Sequence, residues 1–351
     1  MKSLANFLNT NLAPRQLLQY ALAFLPLSTT TVAAKKLIVD TDIYSDVDDA
    51  GALLLASTLP NIDLLAVNVN VNSTYSALAA SAILNHYGHS SVPIGLRRPY
   101  ANVSFFDTWS YSLGEYASKV AYRWGQSGGS VPWFEVETAW DAVELYRTTL
   151  SAAEDGSITI ASIGFLENLS GLLNSTADQC SGLNGYELVT KKVKELVVMG
   201  GEYPSGSEFN FFGDKPSSTA HVVNTWPRSV PITFLGFEIG EIVSTGAKLS
   251  VEGPEDDPVK AAYQWYVGYN TTRFSWDPLT THYACQGLGN WFEYGNEGGY
   301  NYVFPNGSNT WVQDGNVTNQ HYLRLKVGNE TVARELDELF LQGAREWVGM
   351  R

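Results

Sequence analysis

Five carboxylates stand within ten residues near the start of the chain, in the segment VDTDIYSDVDDA at residues 39–50. One or two acids before a helix need no special reason, because Asp caps helices and complements the helix dipole. Five acids this close repel one another and raise one another's pKa. A bound divalent cation removes that cost, and oxygen ligands suit Ca²⁺ or Mg²⁺ better than Zn²⁺. The segment therefore predicts a metal site.

The elements around this acidic segment repeat the order strand, loop, helix. Short apolar runs bounded by polar residues predict buried strands, and longer runs after them predict helices. The predicted strands are 36–39, 64–71, 158–163, 193–199 and 231–235, and the predicted helices are 50–58, 76–87 and 167–173. This alternation favours an α/β fold, a single open domain with a mostly parallel central sheet flanked by helices. Ligands bind such sheets at the carboxyl ends of the strands, where the acidic segment lies.

Two long segments do not fit the alternation. Residues 100–150 are rich in aromatic residues, and residues 285–320 are rich in Gly, Asn and aromatic residues. Both are expected to be irregular, and they could either cap a pocket or pack as surface excursions. Because no repeat or low-complexity linker divides the chain, residues 35–351 are predicted to form one domain.

Composition limits the class of protein. The chain has 351 residues, of which 44% are hydrophobic, and this predicts a packed core. The formal net charge of −14 repels phosphate backbones, so nucleic acid is not an expected partner. The same charge suits capture of a cation, or it simply keeps the protein soluble. The two cysteines, Cys180 and Cys285, could form one disulfide or remain as buried thiols.

Residues 1–34 are predicted to be a signal peptide. Lys2 and Arg15 supply positive charge, residues 17–27 are mostly apolar, and residues 32–34 are small enough for cleavage. No later run is long enough to cross a bilayer, so no membrane anchor is expected. Eight Asn-x-Ser/Thr sequons also favour a secreted glycoprotein. The sequons begin at Asn72, Asn102, Asn168, Asn174, Asn270, Asn306, Asn316 and Asn329.

Two known families open with an acid-rich loop after the first strand. The order Asp40-Thr41-Asp42 resembles the haloacid-dehalogenase-type phosphatases, in which the first Asp is the nucleophile. That pattern has Thr or Val at the position of Tyr44, and it does not account for the acids at residues 48–49. The segment is more similar to the inosine–uridine-preferring nucleoside hydrolases, which open with D-x-D, a short loop and D-D-A. The loop here is longer, lacks the usual Gly, and matches a variant D-x-D-x-x-x-D-x-D-D-A branch.

Later segments resemble the same family in the same order. Residues 162–168 (SIGFLEN) resemble its strand-end turn, and residues 199–201 with 208–210 resemble its M-G-G…E-F-N pattern. Residues 275–278 (SWDP) resemble the segment that carries the last metal-binding Asp. The resemblance runs from about Lys36 to Asp277, and it implies the family's single open α/β domain.

The resemblance also implies the residues of the site and the reaction. Asp42, Asp49, Asp277 and the backbone carbonyl of Ile163 would hold Ca²⁺, which activates and orients a water molecule. Asp42 would be the general base that takes the proton of that water. The residues implied to bind the substrate are Asp48, Asn72, Met199, Glu208, Asn210 and Trp276. The expected substrate is a small ribonucleoside, which would be cleaved into ribose and free base.

The match at Asn72 is the most ambiguous, because three asparagines lie close together in this segment. The family ends its second strand with an Asn that touches the ribose diol, and here Asn68, Asn70 and Asn72 alternate. Alternation places all three on one face if the strand continues. Asn72 is the first choice and Asn70 the second. Because Asn72 also begins a sequon, a glycan there would remove it from the site.

Trp276 stands where many members of this family carry a His as general acid. A purine-specific branch also has Trp there, and its indole stacks on the base and eases ring protonation. The resemblance therefore slightly favours purine nucleosides, although Trp276 could instead only pack behind Asp277. His282 could approach the base, but a histidine at that spacing more often packs on its helix.

Three functions remain in competition on sequence alone. The first is the Ca²⁺-dependent nucleoside hydrolase. The second is a Mg²⁺-dependent phosphatase of the dehalogenase type. The third is a secreted protein that binds Ca²⁺ or ribose without catalysis, which the absent histidine keeps open. Members of the hydrolase family often form homo-oligomers, so a homo-oligomer is possible here.

Overall fold

Continuous apolar runs form the central strands of the protein, because a strand with helices on both faces has no side that meets water. The structure, a computed structural model, describes residues 33–44, 46–105 and 107–350, without the side chains of residues 348–350. Residues from Ala34 onward form one compact unit. Nearly all of the predicted signal peptide lies outside the described residues, so its assignment stays a prediction.

Strands and helices alternate along most of the described chain. The strands are β1 Lys35–Thr41, β2 Ile62–Val69, β3 Ile94–Leu96, β4 Trp140–Asp141, β5 Ile158–Ile163, β6 Val193–Met199, β7 Ser205–Gly206, β8 Ile232–Leu235, β9 Ser244–Thr245, β10 Arg273–Phe274, β11 Phe292–Tyr294, β12 Tyr300–Val303, β13 Asn309–Val312 and β14 Gln320–Leu325. The helices are α1 Asp48–Thr58, α2 Thr74–His86, α3 Ala117–Trp124, α4 Ala142–Ala152, α5 Glu167–Asn174, α6 Gly185–Lys192, α7 Phe209–Phe212, α8 Pro216–Thr225, α9 Phe237–Gly240, α10 Ala247–Glu252, α11 Pro258–Tyr266, α12 Trp276–Gln286 and α13 Asn329–Met350.

Nine strands form the central sheet, in the order β11-β14-β8-β6-β5-β1-β2-β3-β4. Neighbouring strands run parallel except for β11, which is antiparallel to β14 at one edge. This confirms the predicted α/β domain with a mostly parallel central sheet. β1 lies in the middle of the sheet, between β5 and β2. The acidic segment that follows β1 therefore starts at the centre of the carboxyl edge.

α1 is buried nearly all round, which explains its run of small and aliphatic residues. A Cβ on Gly51 would lie 2.7 Å from the Phe340 ring and 2.8 Å from the Tyr263 hydroxyl, so only glycine fits where α1 meets α13 and α11. Large side chains at this position would push α1 away from the sheet. The packing of α1 thus fixes the start of the helix, where Asp48 and Asp49 lie.

The two aromatic-rich segments are more regular than expected. Residues 100–150 contain β4, α3 and α4, and residues 285–320 contain three strands. β12 and β13 pair with β7 in a separate three-stranded antiparallel sheet. The high content of Gly, Asn and aromatic residues concealed short strands, because each is only three or four residues long.

The described residues also show the state of the two cysteines. Cys180 and Cys285 are both free thiols, and Cys285 is buried. No helix in the described part of the chain is long and apolar enough to cross a membrane.

Candidate active site

The carboxyl ends of β1 and β5 bring Asp42 next to Ile163. Thr41 pairs with Ile163 in the parallel register of these two strands, and Asp42 and Gly164 follow them. A Cβ on Gly164 would lie 2.6 Å from both the backbone nitrogen and the Oδ1 atom of Asp42. A glycine is therefore required here, because any side chain would displace Asp42.

Three carboxylates meet beside this strand end. Asp42, Asp49 and Asp277 each offer an oxygen, and these oxygens lie within 4.8 Å of one another. Asp49 also accepts a hydrogen bond from the Thr41 hydroxyl. Asp277 comes from α12, far along the chain, and α12 is held in place by Asp48. One oxygen of Asp48 accepts from the backbone nitrogens of Trp276 and Asp277, at 3.0 and 3.1 Å.

The electrostatics of these acids fit a bound cation. Burial, with a smaller contribution from nearby carboxylates, raises the pKa of Asp42 to about 8. Burial also raises the pKa of Asp49 and of Asp277 well above the ordinary range, and in both the neighbouring acids add to the shift. A divalent cation among the three would stabilise their charged forms. Because the donors are all oxygens, the residues fit Ca²⁺ or Mg²⁺.

Asp40 lies just before this cluster but belongs to a different set of contacts. Its Oδ1 accepts from Asn70 at 2.6 Å and from Asn168 at 3.3 Å, and its Oδ2 accepts from the Tyr146 hydroxyl at 2.7 Å. The residue has no solvent exposure. A carboxylate held in this way is not placed to attack a phosphate ester, which counts against the dehalogenase-type phosphatase.

Asp46, the additional acid of the longer loop, is neutralised by Arg273. The Nε atom of Arg273 donates to both Asp46 oxygens, at 2.9 and 3.1 Å, and its Nη2 atom also donates to Asp46. Tyr116 donates to the Asp46 carbonyl at 2.6 Å. These contacts hold the loop in the absence of the family's usual glycine. Arg273 thus neutralises Asp46, whereas Asp42, Asp49 and Asp277 face one another.

Three residues implied to bind the sugar come together at the end of β6. Glu208 accepts from the backbone nitrogens of Gly201 and Asn210, at 3.1 and 2.7 Å. Asn210 donates to the Met199 carbonyl at 3.3 Å and to its sulfur at 3.1 Å. Burial raises the pKa of Glu208 to about 7, and Glu208 in turn raises the pKa of Asp42, so this group lies near the metal cluster.

The three alternating asparagines separate at the end of β2. Asn68 and Asn70 are fully buried, and the strand ends at Val69. Asn72 is exposed, and its carbonyl accepts from the backbone of Ala101. Asn70 is committed to Asp40. Of the three, Asn72 is the one whose side chain is exposed, while the Oδ1 atom of Asn70 is buried without a hydrogen-bond partner among the described residues. The role of Asn72 in ribose binding stays a prediction.

The indole ring of Trp276 is held in place by Phe237 and lies beside Arg273. Its ring stacks on Phe237 with the ring centroids 5.4 Å apart, and its indole N–H donates to the Phe237 carbonyl at 2.8 Å. The Arg273 guanidinium lies 5.0 Å from the Trp276 ring. The indole is thus fixed, and a positive charge already lies beside it. This charge opposes the binding of a protonated purine against the same ring.

His282 does not join the site. Its ring stacks on Trp291 with centroids 3.8 Å apart, and burial lowers its pKa to about 4. Sequence reasoning also missed Tyr146 and Arg273, which hold Asp40 and Asp46 in place. No local signal marks them, because Tyr146 lies 106 residues from Asp40 and Arg273 lies 227 residues from Asp46.

The chain matches the inosine-uridine preferring nucleoside hydrolase family over residues 37–331 and belongs to that family. Among curated proteins, an uncharacterized protein of Schizosaccharomyces pombe is 27% identical over 61% of this chain. The pyrimidine-specific ribonucleoside hydrolase RihB of Escherichia coli is 27% identical over 58% of this chain. The matches span 64% and 60% of the lengths of these two relatives.

Solved structures share the fold. A plant nucleoside hydrolase superposes with a TM-score of 0.63 at 20% identity, covering 88% of this chain and 99% of its own. The inosine-uridine preferring nucleoside hydrolase of Bacillus anthracis gives 0.61 at 17% identity, with the same coverage of both chains. These likenesses confirm the architecture, and the family assignment confirms the resemblance seen in the sequence.

Proposed function

We propose that the protein hydrolyses the N-glycosidic bond of ribonucleosides with the help of bound Ca²⁺. One observation carries this proposal: Asp42, Asp49 and Asp277 meet within 4.8 Å, beside the group formed by Glu208 and its neighbours. The first set suits a cation, and the second suits sugar hydroxyls. Family membership supports the same reaction. Ca²⁺ is favoured because the ligands are carboxylate and carbonyl oxygens on a loop, a strand end and a helix start.

The side chains have distinct tasks in this reaction. Ca²⁺, held by the three aspartates and the Ile163 carbonyl, would lower the pKa of a water molecule and orient the ribose diol. Asp42, whose charged form the cation would stabilise, accepts the proton of the attacking water. The sugar hydroxyls are held by Asp48, Asn72, Glu208 and Asn210, while Met199 lines the sugar pocket. Binding energy from contacts with the sugar is thereby used to orient the N-glycosidic bond for cleavage.

The preference for purines remains part of this proposal and has the weakest support. It rests on Trp276, which resembles the purine-specific branch. The relative RihB is named as pyrimidine-specific, and Arg273 places a positive charge beside the indole. A direct comparison of inosine, adenosine, uridine and cytidine decides the preference.

The central experiment measures free-base release from these four nucleosides by wild type and by Asp42→Ala. We expect release by wild type, loss of release with a calcium chelator, and recovery when Ca²⁺ is added back in excess. Asp42→Ala should show no recovery. Nucleoside binding without release by a calcium-loaded wild type would instead support the third alternative, a ribose-binding protein. Turnover of a generic phosphate ester would support the phosphatase.

We also propose that the protein is secreted and glycosylated, from the leader-like segment and the sequons. The structure limits which sequons can carry a glycan. Asn168 is only 3% exposed and donates to Asp40, so a glycan there is incompatible with the fold. Asn102, Asn270 and Asn306 are exposed. Peptide mapping of protein from a eukaryotic culture medium tests this: Asn168 should be unmodified, and cell-retained, unmodified protein would refute secretion.

A further inference from the structure

The segment before α3 brings the Tyr111 side chain to Arg273, which also contacts Trp276. The guanidinium carbon of Arg273 is 4.4 Å from the Tyr111 ring centroid and 5.0 Å from that of Trp276. The Nη2 atom of Arg273 donates to the Tyr111 hydroxyl at 3.1 Å. Tyr111 is 39% exposed and packs against Trp109 and Tyr266. The hydroxyl is therefore anchored by a cation and still open to a ligand.

Cleavage of a nucleoside requires a proton at the departing base, because the base otherwise leaves as an anion. The residues that sequence reasoning considered for this task do not provide it. His282 stacks on Trp291 with a lowered pKa, and the Trp276 N–H is committed to the Phe237 carbonyl. Arg273 binds both oxygens of Asp46, and a guanidinium does not release its proton at neutral pH. If a side chain supplies the proton, it is therefore a residue other than these three.

We propose that Tyr111 is the general acid for the departing base. This inference rests on the proposed function, since it assigns a residue to the same reaction. The Tyr111 hydroxyl accepts from Arg273, so its own proton can be donated to a nitrogen or oxygen of the base. The same guanidinium lies 5.0 Å from the ring of Trp276, which is by resemblance the residue nearest the base.

The step balances as a simple displacement. The C1′–N bond breaks, and its electron pair passes to the base. The base takes the phenolic proton of Tyr111, while the water oxygen bonds to C1′ and the water's proton passes to Asp42. The phenolate that remains is stabilised by the N–H donor of Arg273 and regains a proton from solvent after the products leave. No oxidant, reductant or additional reactant is needed.

The local charges suit this task. Burial raises the pKa of Tyr111 above its ordinary value, while Arg273 lowers it. The hydroxyl is therefore protonated in the resting protein, as an acid must be. Arg273 gains interaction energy when the phenolate forms, because a charge-assisted hydrogen bond is stronger than a neutral one. The ion pair with Asp46 keeps Arg273 in place for this purpose.

The test uses two ribosides whose leaving groups differ in their need for an acid. The first is the best nucleoside found for the wild-type protein, and the second is 4-nitrophenyl β-D-ribofuranoside, whose leaving group departs unprotonated. For Tyr111→Phe loaded with Ca²⁺, we expect kcat on the nucleoside to fall about 100-fold and kcat on the nitrophenyl riboside to change less than about threefold. Tyr269→Phe, at a tyrosine that is 66% exposed, is the matched control and should leave both rates unchanged.

Each other outcome overturns the assignment in a recognisable way. An equal loss on both substrates would show that Tyr111 only supports the structure. No loss on either would show that the base leaves without it. Wild-type protein that cleaves neither substrate would refute the proposed function itself.

Discussion

Asp40 and Asp42 stand two residues apart at the end of β1, yet their surroundings are opposite. Asp40 accepts hydrogen bonds from Asn70, Asn168 and Tyr146, so both of its oxygens have partners within the fold. Asp42 faces Asp49 and Asp277 at distances that suit a shared cation. Both carboxyls have a raised pKa, to about 7 and about 8, and burial is the main cause in each. The two residues differ in whether neighbouring groups decrease or increase the free-energy cost of burying a charged carboxylate.

This comparison separates a structural acid from a functional one. Hydrogen-bond donors around Asp40 lower its pKa and offset part of the burial cost without a ligand from outside the protein. Like charges around Asp42 add to the cost, so that residue is stable only with a ligand from outside. Strain of this kind, kept in a native fold, points to function. The same substitution at the two positions should therefore have opposite consequences.

The largest effect is expected from Asp42→Asn. Loss of the general base and of one metal ligand should lower kcat on the best nucleoside by about 10³-fold or more. The thermal midpoint of the chelated protein should stay the same or rise, because one repelling charge has gone. Activity assays and thermal denaturation in EDTA measure the two effects. A lowered thermal midpoint in EDTA would contradict the view that Asp42 destabilises the metal-free protein.

The second effect is that of Asp40→Asn on stability at pH 8. An amide places a donor against donors, so buried polar groups lose their partner, at a cost of about 2–3 kcal/mol. Urea denaturation in EDTA should show this loss. Bound Ca²⁺ should still be detected in the folded variant. Unchanged stability would mean that the contacts with Asn70, Asn168 and Tyr146 contribute little.

A smaller effect is expected from Gly164→Ala. The added Cβ would meet Asp42 at 2.6 Å, so Asp42 must move away from Asp49 and Asp277. We expect Ca²⁺ affinity to fall about tenfold, as for other changes that misplace a ligand. Gly182→Ala is the matched control, since a Cβ there meets nothing within 4 Å. Equal calorimetric affinities for the two variants would show that Gly164 does not position the site.

The last expected effect is a shift of stability with pH. Burial raises the pKa of Glu167, Glu208 and Glu238 to about 7 each. A carboxyl with a higher pKa in the folded state binds its proton more tightly there than in the unfolded chain. The free energy of unfolding in EDTA should therefore decrease as pH rises from about 4 to about 7. Thermal midpoints at pH 5 and pH 8 measure this, and a higher midpoint at pH 8 would refute it.

Calcium should reverse that trend. The ion binds ionised carboxylates, so the stabilisation it adds grows as pH rises. Comparing thermal midpoints with and without saturating Ca²⁺ at both pH values separates the metal site from the buried glutamates. A calcium effect that does not depend on pH would place the ion elsewhere.

Much of the fold follows from local sequence. β5 and β6 have the predicted bounds, because an apolar run buried on both faces needs no distant information to be recognised. β2 was predicted to continue to Val71 but ends at Val69, since alternating asparagines imitate a strand pattern. α3, α4 and the short strands of residues 285–320 were missed. Their pattern depends on packing against the rest of the chain rather than on periodicity.

The candidate site was predictable in type but not in detail. The number of acids indicated a cation, and family resemblance implied Asp42, Asp49 and Asp277, which the structure brings together. Which of the remaining acids are neutralised could not be read from the sequence. Arg273 and Tyr146 reach Asp46 and Asp40 only through the fold. Tyr111 was likewise hidden in an aromatic segment that could have been a surface excursion.

The bond from Asp48 to the start of α12 has a consequence for the order of events during synthesis. Asp48 leaves the ribosome early, and its partner Asp277 follows 229 residues later. The nascent chain must therefore carry a cluster of unneutralised acids for most of its elongation. A pocket for the cation exists only once both halves have emerged and met. We expect the ion to bind late, when most of the polypeptide has been synthesised, rather than to nucleate folding.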